Sequence, residues 1–449
     1  MTLPVLAFAV PACGQQTADD RAAQAQAAGQ ALRGALRTYE GLVGELDLRD
    51  VPSTIHGYSG VMDKLDQLGE ELENLSRHVV QAEQLDPAQF AQLQADIGHL
   101  ATELTSLRRQ AFPLRVWAYL HNHGYRKPGW GLGTAGPLTL SPPLPQDCGG
   151  EVGTTLDLWA ARGEAESSQL LVLSFGRDLP AVTVSGRALR GRGSSIPAAR
   201  VQCQPVAYVQ EATEGSLPWP EILLPPGPVD VPGDGLQTLW VTVTVPDSQS
   251  PGLYQSELSV KPGGMGAIRV TLRVHVWDLD LPSPRSLAGS VPLAASQEAS
   301  VRAAQTALLA GFGLTAEIAP SDSLPGVVAA LAVGQSPTAV RLLGWQAWAR
   351  GESGLDLGGY ETTTPLVQPG PEGQPVASLR LAALRDALDD HELLLLAEAR
   401  GEDVPRLAEL LNEARRFAAA PQLETDAAAR LLQLRQELGD ALSTPTGTD

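Results

Sequence analysis

The chain has 449 residues, too many for one ordinary core and enough for two or three domains. Its 43 % apolar and 18 % charged residues suit a folded protein and not a disordered one. A formal charge of −19 sets the surface against phosphate backbones and argues against nucleic acid as a partner.

The first segment, residues 1–14, holds an apolar run from Leu3 to Val10 and then Pro11, Ala12 and Cys13. A short apolar core ending in small residues reads as a secretory signal and is too short to span a bilayer. Small residues before a cysteine resemble a bacterial lipobox, so Cys13 is the expected lipidation site. The protein is then expected to be exported and held in the cell envelope by a lipid anchor.

Residues 15–111 carry three helical stretches with apolar residues at alternating steps of three and four. Leu32, Leu36, Tyr39, Val43 and Leu46 share one face, Leu65, Leu68, Leu72, Leu75 and Val79 the second, and Phe90, Leu93, Ile97, Leu100, Leu104 and Leu107 the third. Asp86 followed by Pro87 marks the start of the third helix. An antiparallel three-helix bundle follows, as a spacer or as a surface for a protein partner.

From Phe112 to residue 285 the period changes to two. In Ile268–Val276 the even positions are apolar and Arg269, Thr271, Arg273 and His275 face the other way. Trp240–Val245 alternates similarly, and a turn at Asp247–Gly252 leads into Tyr254–Val260. The expectation is an antiparallel β-sandwich in which the 240–245 and 268–276 strands pair. Residues 286–442 return to helix at 296–311, 340–350, 378–399, 404–419 and 425–442, with a short strand at 314–318, and residues 443–449 form a polar tail. The fold class read from the sequence is therefore multidomain α+β.

Within the central region, Leu158–Leu173 with its Arg162-Gly-Glu164-Ala-Glu166 core resembles glycoside hydrolase family 123 and its uncharacterised relatives. The stretches Leu217–Pro225, Leu239–Asp247 and Pro251–Tyr254 through Val276–Pro282 are similar to the same family. So are Gly344–Trp348 and Ser378–Glu392, which match its last barrel strand and closing helix. The resemblance implies a sandwich followed by a (β/α)₈ barrel, with an adjacent Asp-Glu pair on a barrel strand that cleaves N-acetylhexosaminides. Such barrels take about 250 residues, whereas Pro282 to Ser378 spans fewer than 100. The acids between Pro284 and Tyr360 are Glu298, Glu317, Asp322, Glu352 and Asp356, none adjacent to another. A mostly helical, truncated barrel remnant without catalytic residues is expected, with an active glycosidase as the alternative.

The remaining candidates are binding residues. Trp345, Trp348 and Tyr360 are the aromatics that could contact a glycan or cell-wall ligand, with helix-core packing as the more usual role of Trp345 and Trp348, three apart on a helix. Cys148 and Cys203 are a candidate disulfide in an oxidising compartment, with two separate buried thiols as the alternative. His121 and His123 would share one face of a strand but lack a third ligand, so no metal is expected, and no cofactor. Asp389–Asp390 and Glu402–Asp403 read as solvated or capping acids, and His391 as helix-surface packing. Gly131–Gly136 spells a dinucleotide-binding glycine pattern, but prolines follow in place of a helix.

Overall fold

The computed structural model describes residues 18–46, 51–55, 57–125, 128–210, 218–293, 298–317, 327–328, 336–356, 366–401, 404–423 and 426–443. Three N-terminal helices, α1 (Ala18–Leu46), α2 (Tyr58–Val79) and α3 (Pro87–Gln110), surround one core. The predicted faces of α2 and α3 are the buried ones, with Val79 and Phe90 at their ends only half-buried. Asp86 accepts from the Gln89 N–H at 2.8 Å while the Gln89 side chain accepts from the Asp86 N–H, a reciprocal cap that fixes the start of α3. On α1, Leu32 and Leu46 are buried with Ala28, Ala35 and Leu42, while Leu36 and Val43 lie partly in solvent.

The helical region does not stop at residue 111. Phe112–Asn122 forms α4, not a strand. Phe112 to Ala118 are all buried, Arg115 included, because the helix is covered on two sides. Leu114, Trp117 and Ala118 join the bundle core, while Phe112, Val116 and Leu120 join the core of the sheets.

The central region contains β1 (Trp130–Ala135), β2 (Glu151–Val152), β3 (Thr155–Arg162), β4 (Ala165–Ser174), β5 (Leu179–Gly186), β6 (Leu189–Arg190), β7 (Ser195–Ile196) and β8 (Val201–Val209). It continues with β9 (Trp219–Leu223), β10 (Val229–Val231), β11 (Leu236–Thr244), β12 (Gly252–Lys261) and β13 (Ile268–Asp280). One sheet has the order β2-β1-β4-β11-β8-β9 and the other β10-β5-β12-β13-β3, and the two share one core. Pairing is antiparallel except that β3 runs parallel to β13. The predicted 240–245 and 268–276 pair is not formed. β11 pairs with β4 and β8, and β13 with β12 and β3, so the two strands belong to different sheets. Their inward valines, Val241, Val243, Val245, Val270, Val274 and Val276, still meet in one core, because the period of two fixes faces without fixing neighbours.

The C-terminal region begins with a small parallel sheet, β15-β14-β17-β16, made of β14 (Ala288–Pro292), β15 (Thr315–Glu317), β16 (Val327–Val328) and β17 (Gly354–Asp356). Among the described residues it is an open sheet. A hairpin of β18 (Val367–Pro369) and β19 (Pro375–Ala377) follows. Helices α5 (Ala299–Gly311), α6 (Pro337–Arg350), α7 (Leu379–Arg400), α8 (Pro405–Ala419) and α9 (Ala427–Ser443) match the predicted stretches. α6 and α7 touch closely at Gly344, where an added Cβ would overlap the Ala387 carbonyl oxygen. Trp240, Val206 and Leu223 from one sheet, and Trp277, Leu279 and Leu281 at the end of β13, are packed into two cores shared with these helices.

Candidate functional site

The densest chemistry in the molecule lies where the sheets meet α6, α7 and α9. The turn from β3 to β4 presents Glu164, the start of β4 Glu166, α6 presents Arg341 and Trp345, α7 presents Arg385, Asp386, Asp389 and Asp390, and α9 presents Arg435. Asp390 accepts from Arg341 Nε at 2.7 Å and Nη2 at 3.0 Å, from Arg435 Nε at 2.7 Å and from Trp345 Nε1 at 2.9 Å. Glu166 accepts from Arg341 Nη1 at 3.1 Å and stands 3.2 Å from Arg435 Nη2. Glu164 takes the Ala161 N–H at 2.7 Å and a short bond from Arg435 Nη2. Arg385 bonds Asp386 at 2.6 Å and Arg285 bonds Asp389 at 2.7 Å. Arg435 also donates to the Trp159 carbonyl and lies over the Trp277 ring.

These groups are enclosed: Arg341 and Glu164 have no exposed surface, and Asp390 has 1 %. Five carboxyls (Glu164, Glu166, Asp386, Asp389, Asp390) therefore meet four guanidiniums (Arg285, Arg341, Arg385, Arg435). Burial pushes Glu164 up to about 8 against the pull of Arg435, and pushes Asp386 up to about 6. Burial also raises Asp389. It opposes charge on Glu166 and Asp390 too, but there Arg341 and Arg435 outweigh it and hold both carboxyls below the usual range. Burial favours the proton on Glu164 while Arg435 opposes it, so the charge balance of the cluster turns on that one carboxyl. A raised and a lowered carboxyl side by side is also how acid and base roles are divided in enzymes. Here the oxygens are already taken by arginine N–H groups in a closed interior, so the arrangement works as a clamp between sheets and helices. A second buried pair, Arg380 to Glu221 at 2.6 Å, ties α7 to β9.

Asp389 and Asp390 are thus core ion-pair partners, not solvated or capping acids. His391 is likewise buried, not surface packing, and burial lowers its pKa. Its Nδ1 has no hydrogen-bond partner and lies 4.0 Å from Glu392, which binds the Ser286 hydroxyl at 2.6 Å. Glu402, Asp403, Asp322, Tyr360 and Cys13 lie outside the described residues.

Trp345 has no exposed surface and packs edge-on against Phe417, while Trp348 donates to Glu398 at 3.2 Å with Arg415 over its ring. Enclosed rings cannot lie against a sugar, which corrects the glycan-contact reading of both. Cys148 and Cys203 are free thiols, which corrects the disulfide. His121, stacked on Trp117, is in the last turn of α4 and His123, tilted against Tyr119, caps it, so neither is on a strand. Among the described residues no cluster of three or more ligating side chains could hold a metal. Gly131–Ala135 is part of β1. Of the barrel-region acids, Glu298 precedes α5 without capping it and Glu352 follows α6. Glu317 and Asp356 are the last residues of β15 and β17, on either side of β14.

No protein-family model matches the chain, and no curated protein sequence matches it. Among solved structures it is similar to a family 123 glycoside hydrolase from Clostridium perfringens, with TM-score 0.52 and 9 % identity. The match covers 70 % of this chain and 98 % of that one. What is shared is a glycosidase-like fold. A PapD-like domain of human CEP192 matches 28 % of this chain and 84 % of its own at 13 % identity, with TM-score 0.18, too slight a likeness to bear on the fold. The residues that carry the sequence resemblance, Glu164, Glu166, Trp345, Asp386 and Asp390, are the ones that build the clamp. The sequence reading missed this role. The available signal was a helix, α7, whose charges are all Arg, Asp and Glu among leucines on every face, since Arg and short acids are the usual buried bidentate partners.

Proposed function

We propose that the protein is an exported, lipid-anchored envelope protein built on a glycosidase-like scaffold. Its sheets form a β-sandwich, and its parallel sheet is the remnant of a shortened barrel. It binds a glycan or cell-wall polymer, or holds a protein partner through its helical bundle, and does not cleave glycosidic bonds. The observation that carries this reading is the clamp: the acids that the fold gathers are sealed in ion pairs, whereas hydrolysis needs a carboxyl pair open to the scissile bond. A glycan array probed with the full chain tests the binding part, with retention on an amino-sugar polymer expected and a blank array counting against it. Metabolic labelling with a palmitate analogue tests the anchor: Cys13→Ser should abolish the label, and equal labelling of the variant would refute it.

A second reading, an active glycosidase, is favoured by one placement. Glu317 and Asp356 end two strands of a parallel sheet, the edge where barrel enzymes keep their catalytic groups. Hydrolysis of a chromogenic N-acetylhexosaminide that is lost in Glu317→Gln or Asp356→Asn would establish it.

A further inference from the structure

Both sheets stop short at one flank. β10 pairs with β5 between Leu179 and Val182, and β9 pairs with β8 between Val206 and Val209. Residues 183–186 of β5 and 201–204 of β8 are therefore each paired on one side alone among the described residues, with β12 and with β11. A cleft opens between these two stretches, lined by both of them and by Pro226 and Pro228 of the connection from β9 to β10. Its buried lining residues, Val182, Leu239 and Leu258, belong to the shared core.

The backbone of β8 defines what the open edge offers. Along an antiparallel strand the N–H and C=O of one residue point to one side, and those of the next to the other. The Pro205 C=O accepts from the Leu224 N–H, so Pro205, Cys203 and Val201 turn these groups away from β11 and toward the flank. The Val201 N–H is taken by the Ala198 C=O. The Cys203 N–H, the Cys203 C=O and the Val201 C=O have no backbone partner among the described residues. Such a row is a template for one more strand. Its faces are set as well: Val201 and Cys203 pack against the shared core, while Gln202 between them is exposed on the other face. Charge narrows the occupant further. Arg187 directly follows the open stretch of β5 and Arg200 directly precedes that of β8, with Arg190 and Arg192 between them and no acid from 187 to 200. All four are exposed, and none forms an ion pair among the described residues, in a chain of formal charge −19. A second copy of the chain is a poor match, because an isologous contact here would bring the arginines of both copies together.

We propose that the edge of β8 at residues 201–204 takes up an extended segment of another protein as an added strand, antiparallel to β8, with alternate apolar side chains in the cleft and acidic residues at its C-terminal end. An antiparallel segment passes Gln204 first and Val201 last, so its C-terminal end comes nearest Arg200 in the chain. The residue opposite Cys203 shares its inward face and exchanges both backbone bonds with it. The site lies on the sheets and not on the helical bundle, and depends on neither the glycan reading nor the anchor.

The test uses the full chain and a fluorescein-labelled peptide of alternating valine and threonine that ends in two aspartates. Anisotropy should report binding, weakened at least tenfold when lysines replace the aspartates. The double variant Arg187→Glu, Arg200→Glu should reverse that preference. N-methylating the valine amides, which face β8, should abolish binding, whereas N-methylating the threonine amides, which face away, should leave it within about twofold. Exchange of the Cys203 amide with deuterium, read by mass spectrometry with fragmentation, should slow at least tenfold in the complex. No binding of the aspartate-ended peptide, equal loss with both N-methylated forms, or a Cys203 amide that exchanges unchanged in the complex would overturn the proposal. Protection of that amide without peptide, rising with protein concentration, would also overturn it and assign the edge to a second copy.

Discussion

Two substitutions in the clamp should behave in opposite ways although each removes one carboxylate. Asp390 is an anion that accepts three bonds from two buried guanidiniums and one from Trp345. Asp390→Asn leaves Arg341 and Arg435 without that charge and should cost about 3–5 kcal/mol, as for other broken buried pairs. Glu164, pushed up to about 8 by burial, is already neutral at pH 7, and Gln copies its protonated shape. Because the wild-type carboxyl then ionises only in the unfolded chain at pH 7, Glu164→Gln should raise stability there, by up to about 3 kcal/mol. The pH dependence follows the same logic. A carboxyl with a folded pKa near 8 and an ordinary unfolded one binds more protons when native, so its contribution is complete below about 4.5 and is lost as pH rises through 8. At about 1.36 kcal/mol per unit, the wild type should lose up to about 4 kcal/mol relative to Glu164→Gln between pH 5 and pH 8. Urea unfolding followed by tryptophan fluorescence reads this directly, since Trp277 and Trp345 lie in the clamp. Equal costs for the two variants at pH 7, or a Glu164→Gln difference that does not change with pH, would refute the assignment of the proton to Glu164.

Val270→Asp places an unpaired charge in the core of the sheets and should unfold them, at a cost of 4 kcal/mol or more by an order-of-magnitude reckoning, whereas Arg269→Asp on the exposed face should cost within about 1 kcal/mol; calorimetric melting distinguishes the two. Gly344→Ala should part α6 from α7 and lower stability by about 1–3 kcal/mol, seen as a lower urea midpoint. Burial holds His391 below its ordinary pKa, so the unfolded chain takes up its proton first and stability should fall as pH drops below about 6.5. His391→Phe should flatten that part of an acid-unfolding curve, and an unchanged curve would remove His391 from the account.

Helices were the most legible part of the chain. The faces of α2 and α3 could be read because a 3.6-residue period with a polar outer side leaves one solution, and Asp86-Pro87 marked a boundary chemically. α4 was misread because a helix buried on two sides has no polar stripe and its apolar residues fit either period. In the sheets, alternation told which side of each strand faces inward, as for Val270 against Arg269. It could not tell that β11 and β13 sit in opposite sheets, since pairing is decided by long-range closure. The clamp was the least legible. Charge is usually a sign of solvent, and only the folded chain brings Glu164, Arg341, Asp390 and Arg435 together across more than 270 residues. Trp345 lies in the core, as its helical spacing from Trp348 suggested, but its bond to Asp390 could not be read from the sequence.

The measurement that most directly tests the central claim is turnover. General acid and base groups each contribute about 10²–10⁴ in rate, and neither acts when sealed in an ion pair. Purified full-length protein, incubated with chromogenic N-acetylhexosaminides between pH 4 and pH 8, should release no more chromophore than a buffer blank. Release above the blank that scales with protein concentration and vanishes in Glu317→Gln or Asp356→Asn would contradict the account and establish the chain as an active glycosidase.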